Sequence, residues 1–502
     1  MKKFFKFETT IFLGVWFLLM IAGEKRLFRD PGTFWHTVVG RYILSSGHLI
    51  HTDIFSFTFG GKPWVPYEWL GECIMALIHK VSGFDGLLVV TVTLLAFQYA
   101  WFARRFKTAG INFLLIVFIL SLIMLSSAFH FLVRPHIVSI LMLGFIFSLL
   151  CDFEAGLLKI RNLFWLVPVF ILWVNIHGGV LAGLGTVGLC VMGWCLMKIF
   201  KQKSPIKSYK EMIPLMGFLV ACILSILVNP YGVELPKTWF TIVLSPVLPQ
   251  IIDEHLSIIH GGWEWILPLG ILYVALLIGT FPEKPRITWL VPLVWLVLAC
   301  LRIRNGPLFA VTTAVTISDI FPHARWVKWL SSKGSEICRI NRPEPGSSKL
   351  SFVHLIIPLL LISLTVVFNI SSVRVPVLGQ GWAKFDSTYW PTELLPDLKN
   401  YEKTHPEGTP VFNDLLLGGF LIYYTPKLRV FIDDRFELYK DKALLDYCTS
   451  DPSKINEWAN YYGFDIALTQ KGSRFEKYLL KANGWEIVKR CKAGTLFSKI
   501  QH

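Results

Sequence analysis

Apolar runs recur along the first 370 residues, separated by short connections rich in Lys and Arg. A hydrocarbon core about 30 Å thick takes about 20 apolar residues per helix. Runs near 5–23, 84–103, 110–128, 137–151, 163–180, 181–199, 213–228, 264–280, 288–301, 307–321 and 351–370 meet or approach that length. The pattern predicts a mainly α, polytopic membrane domain over 1–370, with about 11 transmembrane helices. Segment 24–83 is too polar to span and rich in aromatics, as in FSFTF at 55–59 and KPWVPYEWL at 62–70, so it reads as a long outer loop with interfacial helices. From 371 to 502 short β-type runs (VFND, LRVFIDD, FDIALTQ) alternate with helical ones (PTELLPDLKNYEK, DPSKINEWANYY). That alternation predicts a soluble α/β domain, joined through Gly379-Gln-Gly-Trp382.

Charge orients the helices. With the N-terminus inside, Lys2, Lys3, Lys6, Arg104, Arg105, Lys107, Lys159, Arg161, Lys201, Lys203, Lys207 and Lys210 fall on the cytoplasmic side. Lys284, Arg286, Arg325, Lys328, Lys333, Arg339, Arg342 and Lys349 follow the same rule. An odd number of spans then exports the C-terminal domain. Residues 2–23 also have the basic start and apolar stretch of a signal peptide, but Met20-Ile-Ala-Gly23 is a poor cleavage site.

Composition agrees with lipid as the main solvent: 54% of residues are hydrophobic and 17% charged, and the mean hydropathy is +0.54. The net charge of +15 reports membrane orientation rather than a nucleic-acid partner, because the basic residues sit between apolar runs. The chain has nine cysteines, and no metal-type spacing relates them. Six lie in or beside apolar runs, whereas Cys448 and Cys491 lie in the soluble tail, where an oxidising compartment would allow them to pair.

On the exported side, several helices end in polar residues, and charge near hydrocarbon is expensive enough to signal a use. The first outer loop contributes Asp30, His36, Asp53, Glu68 and Glu72; the next outer turn contributes Arg134 and His136. Asn175 and His177 lie in NIHGG, Tyr231 lies in NPYG, and Arg302 and Arg304 follow a later run. Guanidinium forks match phosphate oxygens, so Arg134, Arg302 and Arg304, with His136 as a further donor, are candidates to hold an anionic lipid headgroup. Snorkelling to ordinary lipid is the plainer alternative. Asp30 follows the first helix at the water boundary and is the candidate general base; capping a helix end is its alternative. His36 on the same stretch suits orienting a hydroxyl or holding a metal. Asp53, Glu68, Asn175, His177 and Tyr231 are substrate-contact candidates, with loop bracing and turn chemistry as their structural alternatives. In the tail, Asp433, Asp434 and Arg435 read as a buried acid–Arg brace behind the Gly418-Gly419 turn.

The order Asp30, Phe34-Trp35-His36, Gly40, Gly47, Asp53-Ile-Phe-Ser-Phe-Thr58, Trp64, Glu68-Trp69-Leu70 resembles bacterial GT-C-type membrane glycosyltransferase-like proteins. RPH at 134–136, NIHGG at 175–179, NPYG at 229–232 and GGFLIYY with RVFIDDR in the tail extend the resemblance over nearly the whole chain. The resemblance implies a bacterial inner-membrane enzyme that takes a polyprenyl-phosphate-linked sugar from the membrane. Its acceptor would be a glycan, lipid or protein at the non-cytoplasmic face. It also implies that Asp30, soon after the first helix, takes the acceptor proton or binds a divalent metal. Some branches carry a second acidic motif in the next outer loop. Here that turn, HFLVRPH at 130–136, has no carboxylate, which favours Asp30 as base with Arg134, Arg302 or Arg304 on the departing phosphate. A lipid-linked glycan transporter or scramblase and a non-catalytic envelope assembly protein are the rival readings; the first would place polar residues through the bilayer depth.

Overall fold

The structure is a computed structural model describing residues 7–337 and 354–500. The predicted cytoplasmic residues Lys2, Lys3, Lys6, Arg339, Arg342 and Lys349 lie outside the described residues. The longer helices of the first part are α1 (Phe7–Gly23), α2 (Gly32–Ser46), α3 (Trp69–Thr108), α4 (Phe113–Ser127), α5 (His136–Glu154) and α6 (Leu166–Ile176). They continue with α7 (Val180–Ile199), α8 (Met212–Ser225), α9 (Ile266–Ile278), α10 (Ile287–Leu301), α11 (Gly306–Ile320) and α12 (Ile356–Ile370). Among the described residues four helices are long and apolar enough to cross a membrane: Trp69–Thr108, Phe113–His130, His136–Glu154 and Val180–Ile199. The other apolar helices are shorter, at 10–17 residues.

The stretch at 71–81 and the run at 84–103 are two helical segments, as the sequence pattern predicts, joined end to end across a kink. They form the 40-residue α3, broken at Ser82 and at Gly83, whose φ of +58° is open to glycine at no steric cost. Helix α11 runs through the middle of the bundle, nearly all of it buried against α3, α4, α5, α9 and α10. The start of α10 is fixed by Glu154 at the end of α5, whose carboxylate accepts the Ile287 and Thr288 amides, both at 2.8 Å. A carboxylate there satisfies orphan N–H groups and complements the positive end of the helix.

The tail carries a five-stranded sheet in the order β2-β1-β3-β5-β4, with β1 (Pro410–Asn413), β2 (Arg429–Val430), β3 (Ile466–Gln470), β4 (Trp485–Arg490) and β5 (Gly494–Lys499). Strand β1 pairs parallel with β2 and β3, while β5 runs antiparallel to β3 and β4. The edge strand β2 is not left bare. Val430 donates to the Phe55 carbonyl and accepts from the Phe57 amide, each at 3.1 Å, so the first long loop extends the sheet by a parallel bridge. Phe34, Trp35, Phe55 and Trp64 of that loop and of α2 share one apolar core with Trp390, Phe412, Phe420 and Phe431 of the tail. The tail is therefore packed onto the loop rather than hung from its linker. Covering an unpaired edge in this way removes a template for aggregation.

Candidate functional site

Asp30 stands between the short turn Arg26–Phe28 and α2. Its Oδ1 accepts the Gly32 amide at 2.7 Å, closing a local turn at the head of α2. Its Oδ2 takes the Arg134 guanidinium at 3.1 Å. Arg134 comes from the turn between α4 and α5, which is pinned to the loop by Val133 donating to the Leu27 carbonyl at 2.9 Å and by Thr33 Oγ1 donating to the Val133 carbonyl at 2.9 Å. A Cβ on Gly32 would lie 2.9 Å from Arg134 Nε. The bare backbone is what lets the guanidinium lie over the start of α2. The Asp30 and Arg134 side chains keep 13% and 21% of their surface exposed, so the pair is shielded yet reachable. Burial opposes the charge of Arg134, but Asp30, Glu68 and Asp434 around it hold the guanidinium more firmly protonated than usual.

Beneath this pair lies a sealed cluster of acids and histidines. His36 Nδ1 is 2.9 Å from Glu72 Oε1, and His36 Nε2 is 3.4 Å from Glu68 Oε2. On its other side, Glu68 Oε1 faces His177 Nε2 at 3.4 Å. His177 Nδ1 in turn contacts Ser139 Oγ at 2.7 Å and accepts the Gly179 amide at 2.9 Å. The reach from His36 to Glu72 depends on Gly40, one turn further along α2, because a Cβ there would fall 1.9 Å from the Glu72 carbonyl oxygen. Glu68 and Glu72 are four residues apart and so share one face. Burial first, with Glu437 and Asp30 adding to it, pushes the Glu68 carboxyl up to about 8 against the pull of Arg134. Burial also pushes His36 and His177 well below the usual imidazole range, with Arg134 working in the same direction.

A third group borders the first two. Glu254, in the loop before α9, sits 3.8 Å from Arg304 Nη1 and 3.8 Å from His130 Nδ1. Burial alone would raise its carboxyl, but Arg304, His130 and Arg134 together draw it down to about 2. Arg304 also meets His255 Nε2. His136 opens α5 and hydrogen-bonds the His130 carbonyl through Nε2 at 2.7 Å, and its ring lies 6.2 Å from that of His177.

The structure thus brings Asp30, Arg134, His36, Glu68, His177, His136 and Arg304 into one neighbourhood on the side of the first loop. The remaining sequence candidates are differently engaged. Arg302 donates to the Val243 carbonyl at 3.2 Å. Asp53 is buried and braced: Arg435 Nη1 reaches it at 2.6 Å, with Ser56 Oγ at 2.5 Å and the Phe55 amide at 3.0 Å. Arg435 also forks onto Asp433 at 2.8 and 2.7 Å, the buried acid–Arg brace expected from the tail sequence. Asn175 accepts from Trp69 Nε1 at 2.9 Å and donates to the Ile171 and Val228 carbonyls, and Tyr231 donates to the Ile50 carbonyl at 3.2 Å. Cys448 and Cys491 are both free thiols.

Two carboxylates were noted in the sequence without a site role: Glu254, beside Asp253 and His255 in one of the polar loops expected on the exported side, and Asp434, in the tail brace. Glu254 stands in a loop that no periodicity marks, and it supplies acid to the turn that has none of its own. Asp434 reads locally as half of a brace, yet it accepts from Trp35 Nε1 at 2.8 Å and feels both Asp30 and Arg134. Burial first, then Asp30, drives the Asp434 carboxyl well above the usual range. Only the docking of the tail brings it there. Among the described residues no three His, Cys, Asp or Glu side chains are arranged to hold a metal ion. Asp30 itself fits a metal poorly, because Oδ2 is occupied by a cationic guanidinium.

A helical bundle with an α/β tail packed on its first long loop has counterparts among solved structures. The fold is that of the GT-C-type membrane glycosyltransferases. The similar solved structures include the Archaeoglobus fulgidus oligosaccharyltransferase in its apo form, at 11% identity and TM-score 0.52, matching 92% of this chain and 68% of that one. The same enzyme tethered to an acceptor peptide containing the NVT sequon matches at 11% identity and TM-score 0.53, over 92% and 69% of the two chains. ArnT from Cupriavidus metallidurans bound to undecaprenyl phosphate aligns over 98% of both chains at 12% identity and TM-score 0.48, and the fold assignment does not rest on it. No protein-family model and no curated relative matches the sequence.

Proposed function

We propose that the protein is an inverting glycosyltransferase that moves a sugar from a polyprenyl-phosphate donor to a glycan, lipid or protein acceptor at the non-cytoplasmic face of a bacterial inner membrane. The observation that carries the reading is the Asp30–Arg134 pair, half-shielded at the head of α2, in a fold of the GT-C type. In the proposed reaction the acceptor hydroxyl gives its proton to Asp30 as its oxygen attacks the anomeric carbon. The bond from that carbon to the phosphate oxygen breaks on the opposite face, and the released lipid phosphate is held by Arg134. The Nε of Arg134 is buried over Gly32, while 21% of the side chain stays exposed for contact with an incoming anion. Arg304, held by Glu254, supplies a second positive group nearby. No step is routed through a metal.

The accompanying topology has about 11 spans over 1–370, an N-terminus in the cytoplasm, and the 371–502 domain outside. A reaction between a membrane-borne donor and an exported acceptor requires Asp30 and Arg134 to open on that outer side. Asp30→Asn and Arg134→Ala should each lower transfer at least ~100-fold, the weight of a lost general base or of an oxyanion-type donor. Mass spectrometry of lipid-linked and surface glycans in a complemented deletion strain reads the result. If both variants restore wild-type glycans, the chain is not a transferase, and the transporter or assembly reading takes its place.

A further inference from the structure

Five buried polar atoms at and around the Asp30–Arg134 pair make no close hydrogen bond within the protein: His36 Nε2, both carboxyl oxygens of Glu68, Glu72 Oε2 and Arg134 Nε, with the Tyr67 hydroxyl beside Glu68. Buried orphans of this kind are rare, and five in one cluster require an explanation. Proton positions supply one. The Gly179 amide can only donate, so His177 Nδ1 is an acceptor and the proton of the neutral ring lies on Nε2, directed at Glu68 Oε1. The two nitrogens of His36 point at two different carboxyls, and burial and Arg134 disfavour a charge on its ring. One nitrogen donates; the other offers a lone pair, which a carboxylate oxygen would repel and a carboxylic acid would satisfy. In either tautomer of the neutral ring, one of the two acids is therefore neutral.

We propose that Glu68 and Glu72 share a single buried proton through His36, a relay whose charge state sets how strongly Arg134 holds an anion. The step balances: Glu68 Oε2–H passes its proton to His36 Nε2 while His36 Nδ1–H passes another to Glu72 Oε1, so the acid proton moves from Glu68 to Glu72, the ring changes tautomer and the net charge of the three groups stays the same. The 3.4 Å contacts are a few tenths of an ångström longer than an ordinary hydrogen bond, so a small side-chain shift closes the chain. Glu68 faces Arg134 and Asp30 from the outer loops, His36 from α2, Glu72 from α3, His177 from the end of α6, the neighbouring Tyr67, and Glu437 from the tail. With one shared proton present, Arg134 is neutralised chiefly by Asp30 and retains attraction for a phosphate. Once that proton is lost, a second full carboxylate competes for the guanidinium. Glu68, His36 and Glu72 are thus positioning residues that act through Arg134. This consequence rests on the phosphate-binding reading of Arg134, while the shared proton itself does not.

Glu68→Gln tests both parts, because an amide can accept from His177 and donate to His36 in the same geometry but cannot ionise. Infrared difference spectra of the purified full-length protein in detergent, wild type minus Glu68→Gln, should show one protonated-carboxyl band at pH 7 that disappears as pH rises through about 8. Absence of that band at pH 7 overturns the relay. The second measurement is the affinity for farnesyl phosphate between pH 7.5 and 9, above the second ionisation of the phosphate near pH ~6. Wild type should weaken roughly tenfold over this range, the scale of one added charge a few ångströms away, and Glu68→Gln should stay flat. An equal decline in both proteins overturns the gating of Arg134. Failure of either protein to bind the probe at any pH removes the phosphate reading and the gating with it, and the infrared band alone then decides the shared proton.

Discussion

Single side chains in this protein carry protonation states their residue types would not suggest. Glu437 illustrates the consequence for stability. It accepts from Trp64 Nε1 at 2.7 Å, and burial, the largest influence, moves its carboxyl up to about 7 from an ordinary 4.5. Between those values the folded chain keeps a proton that the unfolded chain has released. Stability therefore falls as pH rises from 4.5 to 7 and levels off above. Thermal midpoints in detergent should decline less steeply over that interval in Glu437→Gln than in wild type; parallel declines would exclude Glu437 as a source. None of this was legible in the sequence, since Glu437 lies in an unremarkable helical stretch and acquires its environment from Trp64, hundreds of residues away. Asp30 stood out in the sequence as the acid directly after the first apolar run, with capping of a helix end as its alternative, and its Oδ1 does accept the Gly32 amide at the head of α2.

At the level of elements, two contacts hold the site together. The first is the approach of α2 to α3 at Gly40, whose missing Cβ leaves room for the Glu72 carbonyl and so brings His36 within 2.9 Å of the Glu72 side chain. Gly40→Ala should cost about 1–3 kcal/mol through overpacking and should disturb the His36–Glu72 contact, readable as a lower thermal midpoint together with loss of the shared-proton infrared band. The second is Arg435, fully buried between Asp53 of the loop and Asp433 of the tail, with Trp64 4.6 Å and Phe55 5.2 Å from its guanidinium. Arg435→Ala would strand two buried carboxylates and should destabilise the loop–tail junction by about 3–5 kcal/mol. Denaturant unfolding followed at the loop tryptophans measures it, and an unchanged midpoint would show the brace to be dispensable. Gly40 and the two partners of Arg435 stand in recognisable sequence patterns. Their pairings do not, because a turn glycine and a packing glycine look alike in one chain, and a local Asp–Arg motif does not announce its third member.

For the molecule as a whole, the decisive arrangement is the tail folded back on the first long loop. Sheet edge, apolar core and ion pair all cross that boundary, and Asp434 reaches the Asp30–Arg134 pair only through it. Removing residues 371–502 should therefore expose the apolar faces of α2 and the loop, and yield a protein that aggregates in detergent and lacks transfer activity. Size-exclusion profiles of the truncated and full-length chains compare the two directly. A monodisperse, active truncation would show that the tail only covers a site complete without it.

Hydrophobic spacing by itself determined that the chain is a membrane protein of many helices with a mixed tail, because the thickness of the bilayer and the alternation of strands are written into local pattern. It also singled out Asp30, Arg134, Arg302 and Arg304 as candidates, since a charge beside hydrocarbon stands out against its neighbours. Tertiary structure alone decided which charges meet. Arg134 pairs with Asp30 while Arg302 turns to a backbone carbonyl, Asp53 is spent on a brace, and Glu68, His36, Glu72 and His177 close into one buried cluster. The physical reason is range: burial and Coulomb energy depend on distances between segments far apart in sequence, and no periodicity along the chain records them.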